Sequence, residues 1–385
     1  MSSLRSKWIT AFKHVLPTYL LIHMLFVVLT LFSTLFFVSD FSTNTLPLWS
    51  LVNMWNRWDS IHYTFITAQG YDSAWRTAFF PLFSSLGHAG MLLIHNPFVA
   101  GLVVSNIANL VMLVVLYQLV KEEFGEEQAA RTILYVSIFP TAFFFVAAYT
   151  ESLFLCLVVL CFYQMRHDRW LLAGIFGFLA CLTRSSGIFL LLPCAYEYLR
   201  THEFLWRKIR FNALGIALIP LGLVLYSAYC YKRFGDALAW YHAQAMWNRQ
   251  FHIPVETLLL GFKAIKYAPG FLSFFALRNL LDLISIIFIL IMIVLMLIGP
   301  WKWRRSHISY VIYAVALYLF LLSFPVGNNP VPLQSIPRYM LAIFPTFIIA
   351  SNIGKHRYFH NTYVLMSGLL LFLCCILFIT GHWMT

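Results

Sequence analysis

Apolar runs of roughly 17–25 residues recur from one end of this chain to the other, the length a helix needs to cross a bilayer. Hydrocarbon offers a backbone no water. A span must therefore satisfy its own N–H and C=O groups, as a helix does. Composition agrees: 61% of the 385 residues are hydrophobic and 10% are charged, against about 25% charged in a soluble domain. The expected fold class is an all-α polytopic membrane protein with about eleven transmembrane helices. They fall near residues 15–38, 98–120, 131–148, 150–165, 170–183, 186–199, 211–231, 272–299, 308–324, 338–353 and 361–380. Several central runs are short and read equally as re-entrant or broken helices. The first run is long and lacks an A-x-A cleavage site, so it reads as a mature helix. No polar stretch is long enough to fold alone, so residues 1–385 are expected to form one integral-membrane domain.

Charge sets the orientation. The net charge is +12, and sixteen of the 26 Lys and Arg residues fall in short loops that share one side when the N-terminus is inside. Cytoplasmic loops are rich in Lys and Arg, which explains the basic balance without nucleic acid. The seven cysteines lie in or at the ends of apolar runs and none forms a metal-spaced pair. They read as small core residues.

With that orientation, every unusual polar stretch falls on the outer face. The first external loop, about 39–97, holds "WNRWDSIHY" at 55–63 and "GYDSAWRTAFFPLF" at 70–83, and is expected to carry amphipathic helices. A turn near 149 holds "AAYTESLF", and the turn at 184 holds "TRSSG". A second external loop, about 232–271, holds "GDALAWYHAQAMWNRQ", and "SIPRYM" precedes the tenth run. Read as a helix, 55–63 puts Trp55, Asp59, His62 and Tyr63 on one face. An interfacial anchor would look similar. The functional reading is a carboxylate among aromatics, able to act as a general base on a hydroxyl, with His62 orienting it. Asp40, just after the first run, is the rival base. A metal site from Asp59, His62 and His88 lacks diagnostic spacing.

Each remaining candidate has two readings. Arg76 meets lipid headgroups or a substrate phosphate. Glu151 is an acid at membrane depth or a helix-start charge favoured by the dipole. Arg184 and Arg338 snorkel to headgroups or bind the phosphate of a lipid-borne substrate, which a planar, always-charged fork does well. Trp240, Gln244 and Trp247 share a face that suits a sugar ring or a membrane interface. The chain has no GxGxxG, no Walker A loop and no DxD in a soluble α/β pattern. Any activated substrate is therefore expected to be lipid-borne.

"RWDSIHYTFITAQGY" followed by "AFFPLF" resembles the first-loop signature of the PIG-V-like mannosyltransferases, a family similar to other GT-C multi-spanning glycosyltransferases. "AAYTESLF", "TRSSG", "GDALAWYHAQAMW" and "PRYMLAIFP" resemble its later motifs in the same order, so the likeness spans roughly 50–350. Where that family often reads FFPxFP this chain has Ser84, and where it often reads TRSNG it has Ser186. The resemblance implies an inverting hexosyltransferase moving mannose from a polyprenyl-phosphate donor to a lipid-linked or glycan acceptor hydroxyl. It implies Asp59 as base with Arg57 and His62 beside it. It also implies Arg184 and Arg338 as phosphate ligands, with Tyr63 and Tyr339 in the same motifs. It requires no metal or other cofactor. It points to a prokaryotic plasma membrane with the site outside, or to the endoplasmic reticulum in a eukaryote. The alternative is a transporter or flippase of a lipid-linked or small polar substrate; few charges lie deep on the inner half of the spans, which argues against it. A non-catalytic scaffold would leave the one-sided polar clustering without a reason.

Overall fold

The computed structural model describes residues 2–37, 48–327 and 329–382, the side chains of 2–5 and 206 excepted. Asp40 lies outside the described residues. Among the described residues the secondary structure is helical, with one isolated antiparallel bridge between Arg249 and Val326. In order, the helices are α1 Ser2–Phe37, α2 Leu48–Asn53, α3 Asp59–Gln69, α4 Pro81–Ile94, α5 Pro97–Phe124 and α6 Glu126–Ser137. There follow α7 Glu151–Arg166, α8 Trp170–Thr183, α9 Leu191–Thr201, α10 Leu214–Phe234, α11 Ala239–His242 and α12 Pro254–Lys266. The last are α13 Phe274–Leu297, α14 Ile308–Leu322, α15 Ile336–Met340, α16 Pro345–Ile353 and α17 Arg357–Ile379.

Six helical stretches among the described residues are long and apolar enough to cross a membrane: Ser6–Leu35, Pro97–Phe124, Phe211–Phe234, Phe274–Leu297, Arg305–Leu322 and Arg357–Ile379. The runs expected at 131–148, 186–199 and 338–353 are broken. Pro140 follows α6 closely, and proline cannot continue a helix from the residue before it. A 3-10 turn at Ser185–Leu190 precedes α9, and Pro345 separates α15 from α16. The expected first loop also contains a 14-residue apolar helix, α4, that the hydropathy reading did not single out. Sharp caps set other ends. The Asn96 side chain accepts from the Val99 amide at 3.0 Å, Pro97 opens α5, and Gly125 closes it at φ 95°.

The chain divides into two compact units. The first comprises residues 1–70, 83–156 and 350–384; the second comprises 71–82 and 157–349. In the first unit α1 packs along α5, α6 and α17. Polar groups inside it are answered locally. His23 Nε2 lies 2.7 Å from Asn106 Oδ1, and Asn106 Nδ2 donates to the Val146 carbonyl at 3.1 Å. The Trp55 indole donates to Thr30 Oγ1 at 3.1 Å.

In the second unit α8 and α10 lie so close that glycine is required between them. A Cβ on Gly174 would fall 1.7 Å from the Gly215 carbonyl oxygen, and one on Gly222 would fall 2.4 Å from the Phe178 oxygen. Small residues at a helix contact let backbones touch where lipid gives no hydrophobic drive. In the same unit, buried Glu197 receives hydrogen bonds from Arg166 and Arg200, which ties α7 to α9. Gly174→Val and Gly222→Val should each lower the melting temperature of the purified protein sharply, by an overpacking cost of about 1–3 kcal/mol or more. Gly368, in α17 with nothing within 4 Å of its Cβ position, is the control: Gly368→Ala should be neutral or stabilising by about 0.5–1 kcal/mol.

Candidate active site

The first-loop signature is not one continuous helix. Trp58 takes φ 53° and α3 begins at Asp59, so Trp55 falls outside the helix that carries the acid. Asp59, His62 and Tyr63 keep their i, i+3, i+4 spacing and share a face. Asp59 also sits in the first turn, where the helix dipole favours a carboxylate. Tyr63 is buried, with its hydroxyl 3.4 Å from Thr150 Oγ1. Glu151, the first residue of α7, is 4% exposed beside it. Arg57 is a clamp. Its Nε donates to Met54 O at 3.2 Å and its Nη2 to Ile379 O at 3.4 Å, at the C-terminal end of α17 where a cation is favoured. The Tyr149 hydroxyl donates back to the Arg57 carbonyl at 2.9 Å. The Tyr63–Thr150 contact thus ties α3, which carries Asp59 and His62, to the start of α7, where Glu151 stands. His88 is taken by the Thr67 carbonyl at 2.9 Å, and among the described residues no three His, Cys, Asp or Glu side chains are placed to hold a metal.

The second unit holds a concentration of positive charge. The Arg184 guanidinium carbon lies 4.3 Å from the Tyr339 ring centroid, that of Arg338 4.7 Å and that of Arg249 5.8 Å. Arg338 is 2% exposed and its Nη2 donates to the Tyr339 hydroxyl at 2.8 Å. Arg249 is held by the Phe324 carbonyl at 2.7 Å and the Gln334 carbonyl at 3.2 Å. Short-range sequence explains the placement of Arg184 and Arg338. Ser335 caps α15 at φ 70°, a strained value for a side-chain-bearing residue, and Pro337 stands in the first turn, so Arg338 and Tyr339 are fixed by local backbone. Arg184 ends α8 in an extended conformation. The turn after it folds back because Gly187 allows it: a Cβ there would sit 2.5 Å from the Cys181 nitrogen and 2.6 Å from the Ala180 carbonyl carbon.

Other sequence candidates in this unit are occupied structurally. Arg76 donates to both Asp72 oxygens at 2.9 Å and lies over Trp75 at 4.7 Å. The Trp240 indole donates to Ser227 Oγ at 2.9 Å, and its ring meets Phe80 edge-on at 5.8 Å. Trp247 packs on Phe79 at 5.7 Å, so the aromatic loop grips the FFP segment. Gln244 is half-buried in the 3-10 turn between those tryptophans. Upstream, Asp236 accepts from the His242 ring at 2.7 Å and the Leu238 amide at 2.9 Å; these bonds hold its carboxyl below the usual range. Sequence reading placed Arg249 near the tryptophans and gave it no role. Its signal was present but weak: an arginine between "AMWN" and "QFHIP" looks like a solvated loop charge until the 323–335 segment folds against it.

A family model described as dolichyl-phosphate-mannose-protein mannosyltransferase matches residues 81–231. No curated protein matches the sequence. Among solved structures, the chain is similar to ArnT from Cupriavidus metallidurans bound to undecaprenyl phosphate. The TM-score is 0.52 at 13% identity, covering 94% of this chain and 76% of that one. The same protein in the apo state gives a TM-score of 0.50 at 13% identity, covering 94% and 75%. The chain shares its helical fold with those two structures.

Gly187→Ala should displace the turn that sets Arg184. The expected result is a lower melting temperature of the purified protein, since the Cβ would meet backbone atoms. An unchanged melting temperature would show that the turn accommodates a Cβ at this position.

Proposed function

We propose that the chain is an inverting glycosyltransferase that moves a sugar, mannose, from a polyprenyl-phosphate donor to a hydroxyl of a lipid-linked or glycan acceptor. The site is proposed to face the non-cytoplasmic side, in a prokaryotic plasma membrane. The observation that carries this reading is the gathering of three guanidinium groups around Tyr339. The fold and the undecaprenyl phosphate bound by ArnT support it, as does the family model over 81–231. Mannose rests on the PIG-V-like motifs alone.

The chemistry balances simply. The acceptor oxygen attacks the anomeric carbon from the side opposite the phosphate and forms the new glycosidic bond. The bond from that carbon to the phosphate oxygen breaks, and its electron pair leaves with polyprenyl phosphate. Asp59 takes the hydroxyl proton as attack proceeds, with His62 fixing the carboxylate. The donor phosphodiester carries one negative charge and the departing monoester approaches two. Arginines therefore hold the leaving group more tightly in the transition state than in the substrate, which is the condition for raising rate. With the leaving group activated and its charge met by guanidiniums, the mechanism calls for no metal.

Asp59→Asn should cut turnover by about 10²–10⁴ while leaving undecaprenyl phosphate binding intact. Arg338→Leu or Arg184→Leu should do the reverse in part: binding weakens, and turnover falls by roughly 10²–10³. Binding of undecaprenyl phosphate that is indifferent to all three arginines would remove the phosphate assignment.

A further inference from the structure

Helix α13 carries two charges one turn apart, Arg278 and Asp282, inside a run long and apolar enough to cross a membrane. Arg278 is 7% exposed, Asp282 1% and the intervening Asn279 0%. Ionisable groups at such depth are expensive and are kept where they do something. Here the polar groups are incompletely answered. Arg278 Nε and Nη2, Asp282 Oδ2 and Asn279 Oδ1 are buried with no hydrogen-bond partner among the described residues. The other end of the Asn279 amide is fully used. Its Nδ2 donates to Phe275 O at 2.9 Å and to Pro330 O at 2.7 Å, which pins the segment leading to Arg338 onto α13. α13 also packs on α15, the helix that carries Arg338 and Tyr339.

The vacant valences discriminate between ligand classes. A phosphate could use Arg278 but would be repelled by Asp282. A metal cation could use the two side-chain oxygens but would be repelled by Arg278. A hydroxyl donates and accepts at one oxygen, and a ring bearing several of them can meet a guanidinium and a carboxylate together. We infer that Arg278, Asn279 and Asp282 form a subsite that reads the hydroxyls of the transferred hexose. The subsite rests on the reading that the substrate is a polyprenyl-phosphate sugar, and it assigns sugar recognition to residues distinct from those around Tyr339. Buried polar groups built to bond a hydroxyl reject analogues that lack it strongly, because rejection leaves them unpaired.

The test uses the full chain in lipid nanodiscs and two probes, undecaprenyl phosphate and undecaprenyl-phosphate mannose. The double variant Arg278→Leu with Asp282→Leu removes both charges at once, so no lone buried charge is left to unfold the helix. It should bind the mannosylated probe at least about tenfold more weakly and the bare phosphate unchanged. Arg278→Gln with Asp282→Asn, which keeps the shape and also leaves no lone charge, should shift the same way and carries the test if the first double variant does not fold. Equal loss of both probes would overturn the inference and make the cluster a support for Arg338. No loss of either would also overturn it, leaving a buried pair answered by water. Failure of the unsubstituted protein to bind either probe would instead defeat the polyprenyl-phosphate reading, and the subsite with it.

Discussion

Like charges must be held together around one ring, and the second unit is organised by that requirement. Guanidiniums at separations on the order of 8 Å repel by about 2 kcal/mol per pair at an effective dielectric near 20. The Tyr339 face and hydroxyl offset part of this, since cation–π contacts contribute about 0.5–2 kcal/mol each. The carbonyls that hold Arg249 offset more. A cluster held in this way presents guanidiniums around an aromatic ring, the feature on which the proposed phosphate role rests.

The broken helices serve that cluster. A continuous span would place arginine side chains along a lipid-facing or core-facing stripe. Ending α8 at Thr183, folding the next turn back over Gly187 and starting the short α15 from a strained Ser335 puts guanidiniums at helix ends instead. The glycine contacts between α8 and α10 make the first of these ends rigid. Strain of this kind persists only where surrounding structure over-determines it.

Much of this was legible in the sequence, for different physical reasons. Apolar run length alone identified the membrane class and located the six long helices to within a few residues at most ends; α1 starts well before the expected boundary because its first turns are polar. It anticipated re-entrant or broken central helices and the turn at 184, but did not locate the breaks at Pro140 and Pro345, because hydropathy averages over a window and is blind to one backbone-altering residue. Arg184, Arg338 and Tyr339 were found as charges and rings in short motifs, and the structure brings them together. Arg249 was not, since its partners, the Phe324 and Gln334 carbonyls, are 75 and 85 residues away. Arg278 and Asp282 were passed over inside the longest apolar run. Trp240 and Trp247 were read as suiting a sugar ring or a membrane interface equally, and in the structure they pack against Phe80 and Phe79. Aromatic residues in a loop say that something flat will be covered, not what covers it.

The most direct measurement is release of radiolabelled mannose from polyprenyl-phosphate mannose by the purified protein in lipid, with membrane-extract lipids as acceptor and a nucleotide-linked mannose in parallel. The account predicts transfer or slow hydrolysis from the lipid-linked donor and none from the nucleotide-linked one. Turnover of the nucleotide sugar, or of neither donor under conditions where the protein is folded, would contradict it.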